Sequence, residues 1–139
     1  MLFEASVEIA APPETVWAVM SDVERWHEWT ASIASIRLLD GALTVGSRVR
    51  IRQPKLPATV WRVSVLEPGR YFEWQAESFG SVVVAGHRVE PAPGGSRATV
   101  WIDQGGLLGS LFGRVFKNLT LQYLDVESQG LKRRSESPA

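Results

Sequence analysis

The stretch Gly106–Arg134, GLLGSLFGRVFKNLTLQYLDVESQGLKRR, decides the fold. On a 3.6-residue wheel Leu108, Leu111, Phe112, Val115, Phe116, Leu119, Tyr123 and Val126 fall within an arc of about 140°, wide enough for a core-facing stripe. Ser110, Arg114, Lys117, Asp125 and Ser128 occupy the other side. A single helix of about 25 residues, rising about 1.5 Å per residue, would be nearly ~40 Å long. That is too long for a connector in a chain of 139 residues. An apolar stripe of this width needs a second layer, and everything upstream reads as short strands. The sequence therefore predicts a sheet that wraps this helix and leaves a pocket beside it.

Working back to the start, Phe3, Ala5, Val7 and Ile9 alternate with Glu4, Ser6 and Glu8, the period-2 pattern of a half-buried strand. Ala10-Ala11-Pro12-Pro13 ends it, and Pro13 suits the first turn of a helix through Val16, Trp17, Val19 and Met20. Ser21-Asp22 breaks that helix, and Asp22 is placed to cap a second short one, Val23 to Trp29. Neither is long enough to stand alone, so both must lie against the sheet edge or the long helix. Strands then follow in series: Ile33 to Leu39, Ser47 to Gln53, a run in which Thr59, Trp61, Val63 and Val65 share a face, a run with Phe72, Trp74 and Ala76 inward, one with Val83, Ala85, His87 and Val89 inward, and Arg97 to Gln104 with Ala98, Val100 and Ile102 inward. Turn signals separate them at Asp40-Gly41, Pro54-Lys55-Leu56-Pro57, Glu67-Pro68-Gly69-Arg70, Ser78-Phe79-Gly80 and Pro91-Ala92-Pro93-Gly94-Gly95. Such short connections require antiparallel pairing, because parallel strands need long crossovers. The expectation is an α+β fold: a curved seven-stranded antiparallel sheet, two short helices after the first strand, and the long C-terminal helix in its concavity. One domain, residues 1–134, accounts for the pattern, with 135–139 as a frayed tail.

Composition narrows the function classes. Fifteen basic residues balance fifteen acidic ones, so no basic excess is available for a broad nucleic-acid surface. The arginines alternating through Arg48, Arg50 and Arg52 read as a solvated strand face. There is no cysteine, and two histidines about sixty residues apart give no metal-ligand spacing. No apolar run approaches the roughly 18 residues of a membrane span, and the N-terminus lacks a signal pattern. A cytoplasmic protein without membrane insertion is expected. No Gly-x-Ser-x-Gly elbow and no glycine-rich phosphate loop occurs, so neither covalent catalysis nor a nucleotide cofactor has support, and no cofactor is expected.

Several phrases, taken with this order of elements, resemble the START-like (SRPBCC) superfamily and within it the polyketide cyclase/dehydrase-like branch. They are Ala11-Pro12-Pro13-Glu14-Thr15-Val16-Trp17, Ser21-Asp22-Val23-Glu24-Arg25-Trp26 with Trp29, Val45-Gly46-Ser47-Arg48, Trp61-Arg62-Val63, Phe72-Glu73-Trp74, His87-Arg88-Val89-Glu90-Pro91, and Gly105-Gly106-Leu107-Leu108-Gly109. The resemblance spans residues 1 to about 131. It implies a helix-grip fold with a deep cavity between sheet and long helix, used to hold hydrophobic molecules. It does not transfer an activity, because the superfamily includes aromatases and cyclases, lipid carriers, receptors and chaperone activators.

Six tryptophans are the compositional oddity. By strand parity the expected pocket lining includes Val49, Ile51, Trp61, Val63, Phe72, Trp74, Ala85 and His87. The long helix adds Phe112, Val115, Phe116, Leu119 and Tyr123, and Trp26 and Trp29 are expected to wall the mouth. Trp17 reads as core, while Trp101, Arg37 and Asp103 face outward. An inward histidine can act as a general acid or base, or donate to a carbonyl; the plainer reading is a neutral core histidine satisfied by a neighbour. The Tyr123 hydroxyl offers either a ligand contact or a structural hydrogen bond. His87 and Tyr123 are thus the catalytic candidates. The rings equally have the bulk to fill the grip and leave little volume.

Three functions fit these residues. A binding module for a hydrophobic small molecule (a lipid, polyketide or aromatic metabolite) suits the aromatic inner faces. A polyketide cyclase/aromatase-like enzyme would steer proton transfer with His87 and Tyr123, but such chemistry needs more convergent polar groups than these two. Leu121, Leu124 and Leu131 lie off the main stripe, which marks either a homodimer contact or a second buried edge.

Overall fold

The computed structural model describes residues 1–78 and 80–137. Phe79, within the expected Ser78–Gly80 turn, and residues 138–139 of the expected frayed tail lie outside the described residues. The element order is β1 (Leu2–Ile9), α1 (Pro13–Ser21), a 3₁₀ segment (Val23–Glu28), β2 (Ser35–Leu38), β3 (Arg48–Arg52), β4 (Thr59–Glu67), β5 (Tyr71–Ser78), β6 (Ser81–Ala92), β7 (Gly95–Gly106), α2 (Gly109–Val115) and α3 (Lys117–Glu136). Pro13 starts α1, where its missing N–H costs nothing. Asp22 precedes the 3₁₀ segment, but its side chain makes no capping bond.

The strands form one curved sheet in the order β1-β7-β6-β5-β4-β3-β2, with antiparallel pairing at every step. β1 returns to pair with β7, matching Phe3 to Ile102 and Val7 to Ala98. Alternation along each strand puts the expected side chains inward: Phe72, Trp74 and Ala76 on β5, Ala85, His87 and Val89 on β6, and Ala98 and Val100 on β7 are all buried. β4 departs from simple alternation. A bulge between Val63 and Val65 sets Val65 opposite Glu73 and Leu66 opposite Phe72. Leu66, not Val65, therefore packs on the core, and the extra residue adds bend and twist where the sheet curls.

The C-terminal rod is two helices rather than one. Phe116, at φ −100° and ψ 13°, leaves helical geometry between α2 and α3, although its N–H still reaches the Phe112 carbonyl at 2.9 Å. The break lets α2 pack against β6 and β7 while α3 turns to lie along β1. It also divides the predicted stripe. Leu111 and Val115 are exposed, and Leu108 and Phe116 are only partly covered. The face of α3 that meets the body of the protein instead carries Thr120, Leu124, Ser128, Gly130, Leu131 and Ser135. Close approach explains this choice of small residues: a Cβ on Gly130 would sit 2.1 Å from the Trp29 carbonyl oxygen. Leu124 and Leu131 are thus the second buried edge. The helix continues past Arg134 to Glu136, so the first two positions of the expected tail are helical. There the Glu136 carboxylate accepts from the Ala10 N–H at 2.8 Å, and Lys132 donates to the Glu8 carbonyl at 2.9 Å.

The main core lies between α1, the 3₁₀ segment and the inner face of β2–β6, around Val16, Met20, Trp26, Phe72 and Trp74. Among the described residues, no helix is long and apolar enough to cross a membrane.

Candidate ligand-binding pocket

The inner face of the sheet is not fully filled. An open hollow of about 310 Å³ lies beside the α2–α3 break. The sheet side of its wall is Ile51 and Gln53 near the end of β3, Thr59 and Trp61 on β4, Ala76 on β5, Ser81 and Val83 on β6, and Ile102 and Gln104 on β7. Phe112, Phe116, Leu119, Thr120 and Tyr123 close the helical side, with Leu56 and Pro57 of the β3–β4 loop. The lining is mostly apolar, as a site for a hydrophobic molecule requires. The Tyr123 hydroxyl donates to the Pro54 carbonyl, tying α3 to that loop.

A second, much smaller chamber of about 40 Å³ shares Ile51, Gln53, Trp61 and Ile102 with the hollow and lies deeper in the grip. Trp26, Trp74, Ala85, His87, Leu124 and Glu127 are also in its wall. Trp26 is 2% exposed, and its indole N–H donates to the Met20 carbonyl at 3.0 Å. Its ring lies 5.3 Å from Trp74 and 5.2 Å from His87. His87 in turn stacks on Phe72 at 4.2 Å and 17°. Aromatic side chains therefore fill most of the deep end, while the outer hollow stays open.

His87 is 3% exposed. Its Nδ1 lies 3.3 Å from the Phe72 carbonyl oxygen, which can only accept, so Nδ1 carries the proton and Nε2 presents a lone pair. Nε2 lies 3.7 Å from Glu127 Oε1. Burial pushes the imidazole down to about 3, partly opposed by the Phe72 bond. Burial likewise pushes the Glu127 carboxyl up to about 8, and no hydrogen bond offsets it. Near neutral pH the pair is an uncharged imidazole facing a protonated carboxyl. Among the described residues, these are the two ionisable side chains in the wall of the inner chamber.

The residues expected to line the pocket separate into groups. Ile51, Trp61, Phe112, Phe116, Leu119 and Tyr123 border the open hollow. Trp26, Trp74, Ala85 and His87 border the inner chamber. Val49, Val63 and Phe72 are packed solid in the core and border neither. Val115 is 65% exposed, on the outside of α2. Trp26 and Trp29 do not wall the mouth: Trp26 is in the deep core, and Trp29 packs beneath Gly130 of α3. His87 and Tyr123 occupy different compartments, and the Tyr123 hydroxyl is already engaged by Pro54.

Glu127 is the residue the sequence reading missed. It lies four positions after Tyr123 and three after Leu124, so a wheel centred on Thr120, Leu124 and Leu131 would have turned it inward. The stripe drawn through α2 placed that centre elsewhere. Among the described residues, no group of three histidine, cysteine, aspartate or glutamate side chains could hold a metal ion. A larger, open hollow of about 620 Å³ between α1 and the end of α3 is walled in part by Glu14, Asp22, Arg25 and Arg134. Three of these charges are engaged, Arg25 with Asp22 and Arg134 with Glu28, which suits solvent better than an apolar guest.

Solved structures share this architecture. A hypothetical protein from Helicobacter pylori superposes with a TM-score of 0.78 at 16% identity, over 96% of this chain and 86% of that one. The Zhui aromatase/cyclase from a Streptomyces species gives 0.76 at 16% identity, over 98% of this chain and 93% of that one. At such identities the likeness is one of fold. In sequence, a provisionally named polyketide cyclase of Streptomyces halstedii is 33% identical over 93 residues, covering 65% of this chain and 75% of its own length. The model of the family described as polyketide cyclase / dehydrase and lipid transport matches residues 2–136, so the chain belongs to that family.

Proposed function

We propose that this protein holds a hydrophobic small molecule, such as a lipid, polyketide or aromatic metabolite, between the sheet and the C-terminal helices. The observation that carries this reading is the open hollow of about 310 Å³ with its largely apolar wall, set between the inner face of the sheet and the C-terminal helices. Family membership supports the same reading. Affinity would come from burial of apolar area, at roughly 25 cal/mol per Å² before the cost of immobilising the guest. The test is a fluorescence titration with naphthalene, read from the tryptophans, on the wild type and on Val83→Phe. The substitution fills the hollow from β6. Saturable binding that weakens at least tenfold in the variant supports the reading. Equal binding by both proteins contradicts it.

A cyclase-like enzyme is the second reading, favoured by one observation: the buried, neutral His87 points its free nitrogen towards Glu127. Tyr123 is a weaker partner, since its hydroxyl is committed to Pro54. Turnover of a poly-β-ketone analogue that collapses in His87→Ala would establish this second reading, and the absence of turnover in the wild type would remove it.

A further inference from the structure

We propose that His87 and Glu127 form a polar latch that selects, among apolar guests, those ending in a hydroxyl group, whether phenol, enol or alcohol. This rests on the hydrophobic-pocket reading and adds a head-group requirement to it. Three features carry the inference. The two side chains are deeply set, His87 with 4% and Glu127 with 13% of its side chain exposed, on separate elements that converge on the inner chamber. Their facing atoms are 3.7 Å apart, too far for a good mutual hydrogen bond. One oxygen lying to the side, about 2.8 Å from each, would satisfy both. Finally, the inner chamber, at about 40 Å³, has room for a single small polar group and none for a ring, whereas the adjoining hollow of about 310 Å³ takes the apolar body.

The donor and acceptor roles then choose the group. With Nδ1–H given to the Phe72 carbonyl, Nε2 can only accept. The protonated carboxyl of Glu127 can donate. A hydroxyl does both at once, donating its proton to Nε2 and accepting from Glu127. A carbonyl or ether oxygen can only accept and leaves Nε2 unsatisfied. A carboxylate would bring a charge into an apolar chamber. Leaving a buried acceptor unpaired is what makes a polar site discriminate strongly.

The experiment compares three probes with a shared body, 2-naphthol, 2-methoxynaphthalene and naphthalene, by calorimetric titration at pH 7. The proposal expects 2-naphthol to bind at least tenfold more tightly than either of the others to the wild type. Glu127→Leu and His87→Phe should each abolish that preference while still binding naphthalene, which reports that the fold and the hollow are intact. Glu127→Gln, which keeps a donor at this position, should retain part of the preference. Binding of all three probes without preference in the wild type overturns the latch and leaves the pocket reading standing. A preference that survives both Glu127→Leu and His87→Phe overturns it as well. No binding of any probe removes the pocket reading itself and the latch with it.

Discussion

At pH 7 the deep end of the grip holds one proton on Glu127 and none beyond the tautomeric N–H on His87, and this ties stability to pH. The folded pair keeps that one titratable proton from about pH 3 to about pH 8. In the unfolded chain the two groups return to their ordinary values of 6.5 and 4.5. Between 4.5 and 6.5 the unfolded pair also holds one proton, so the pair contributes no slope there. Above 6.5 the unfolded chain has released it while the folded one has not, so stability falls as pH rises towards 8, by about 2 kcal/mol. Below 4.5 the unfolded chain binds a second proton that buried His87 refuses, so stability falls again towards pH 3. Surface carboxylates add to the acid side, because Asp40 is held at about 2 by Arg48, and Glu28 and Glu136 are also lowered by their partners. The alkaline limb is therefore the diagnostic one. Urea unfolding at pH 6.5 and 8 should show a loss in the wild type that is absent in Glu127→Gln. An unchanged loss in the variant would mean that another group is responsible.

Among the elements, the two C-terminal helices divide their work between gripping and lining. α3 grips through small residues, and Gly130→Ala drives a methyl group into the Trp29 backbone, which cannot move aside as a side chain can. A loss of about 3 kcal/mol in denaturant unfolding is expected. Leu131→Ala, in the same buried seam at 1% exposure, should cost about 2–5 kcal/mol. Leu111→Ala, on the outside of α2, should stay within about 0.5 kcal/mol. Had the one continuous stripe through Leu108, Leu111 and Val115 faced the core, Leu111→Ala would instead cost about 2–5 kcal/mol. This is also where sequence reading reached its limit. Period-2 alternation made the strands legible, because a strand facing a core on one side repeats every two residues whatever its partners. The break at Phe116 was not legible, since no proline marks it and the nearest glycine, Gly113, stands three residues earlier inside α2. Its cause is tertiary: α2 rests on β6 and β7, α3 on β1, and no straight rod serves both. The bulge at Val63/Val65 was hidden for the same reason, since only pairing with β5 reveals the extra residue. Glu127 followed from the misplaced helix axis, while His87 was visible from strand parity alone.

At the scale of the whole molecule, the curved sheet and the α2–α3 break together decide where empty space is left. The deep end is occupied by Trp26, Phe72, Trp74 and His87, and the open hollow lies beside the α2–α3 break, between those helices and the inner face of the sheet. The most direct test is a two-dimensional amide NMR titration of the isotopically labelled protein with 2-naphthol. Shifts concentrated at Ile51, Ala76, Val83, Phe112 and Leu119, which surround the hollow, are predicted, with Ala18 and Val19 of α1 unmoved. Shifts confined to α1 and the end of α3, or no saturable shift at all, would contradict the claim that the grip holds an apolar guest.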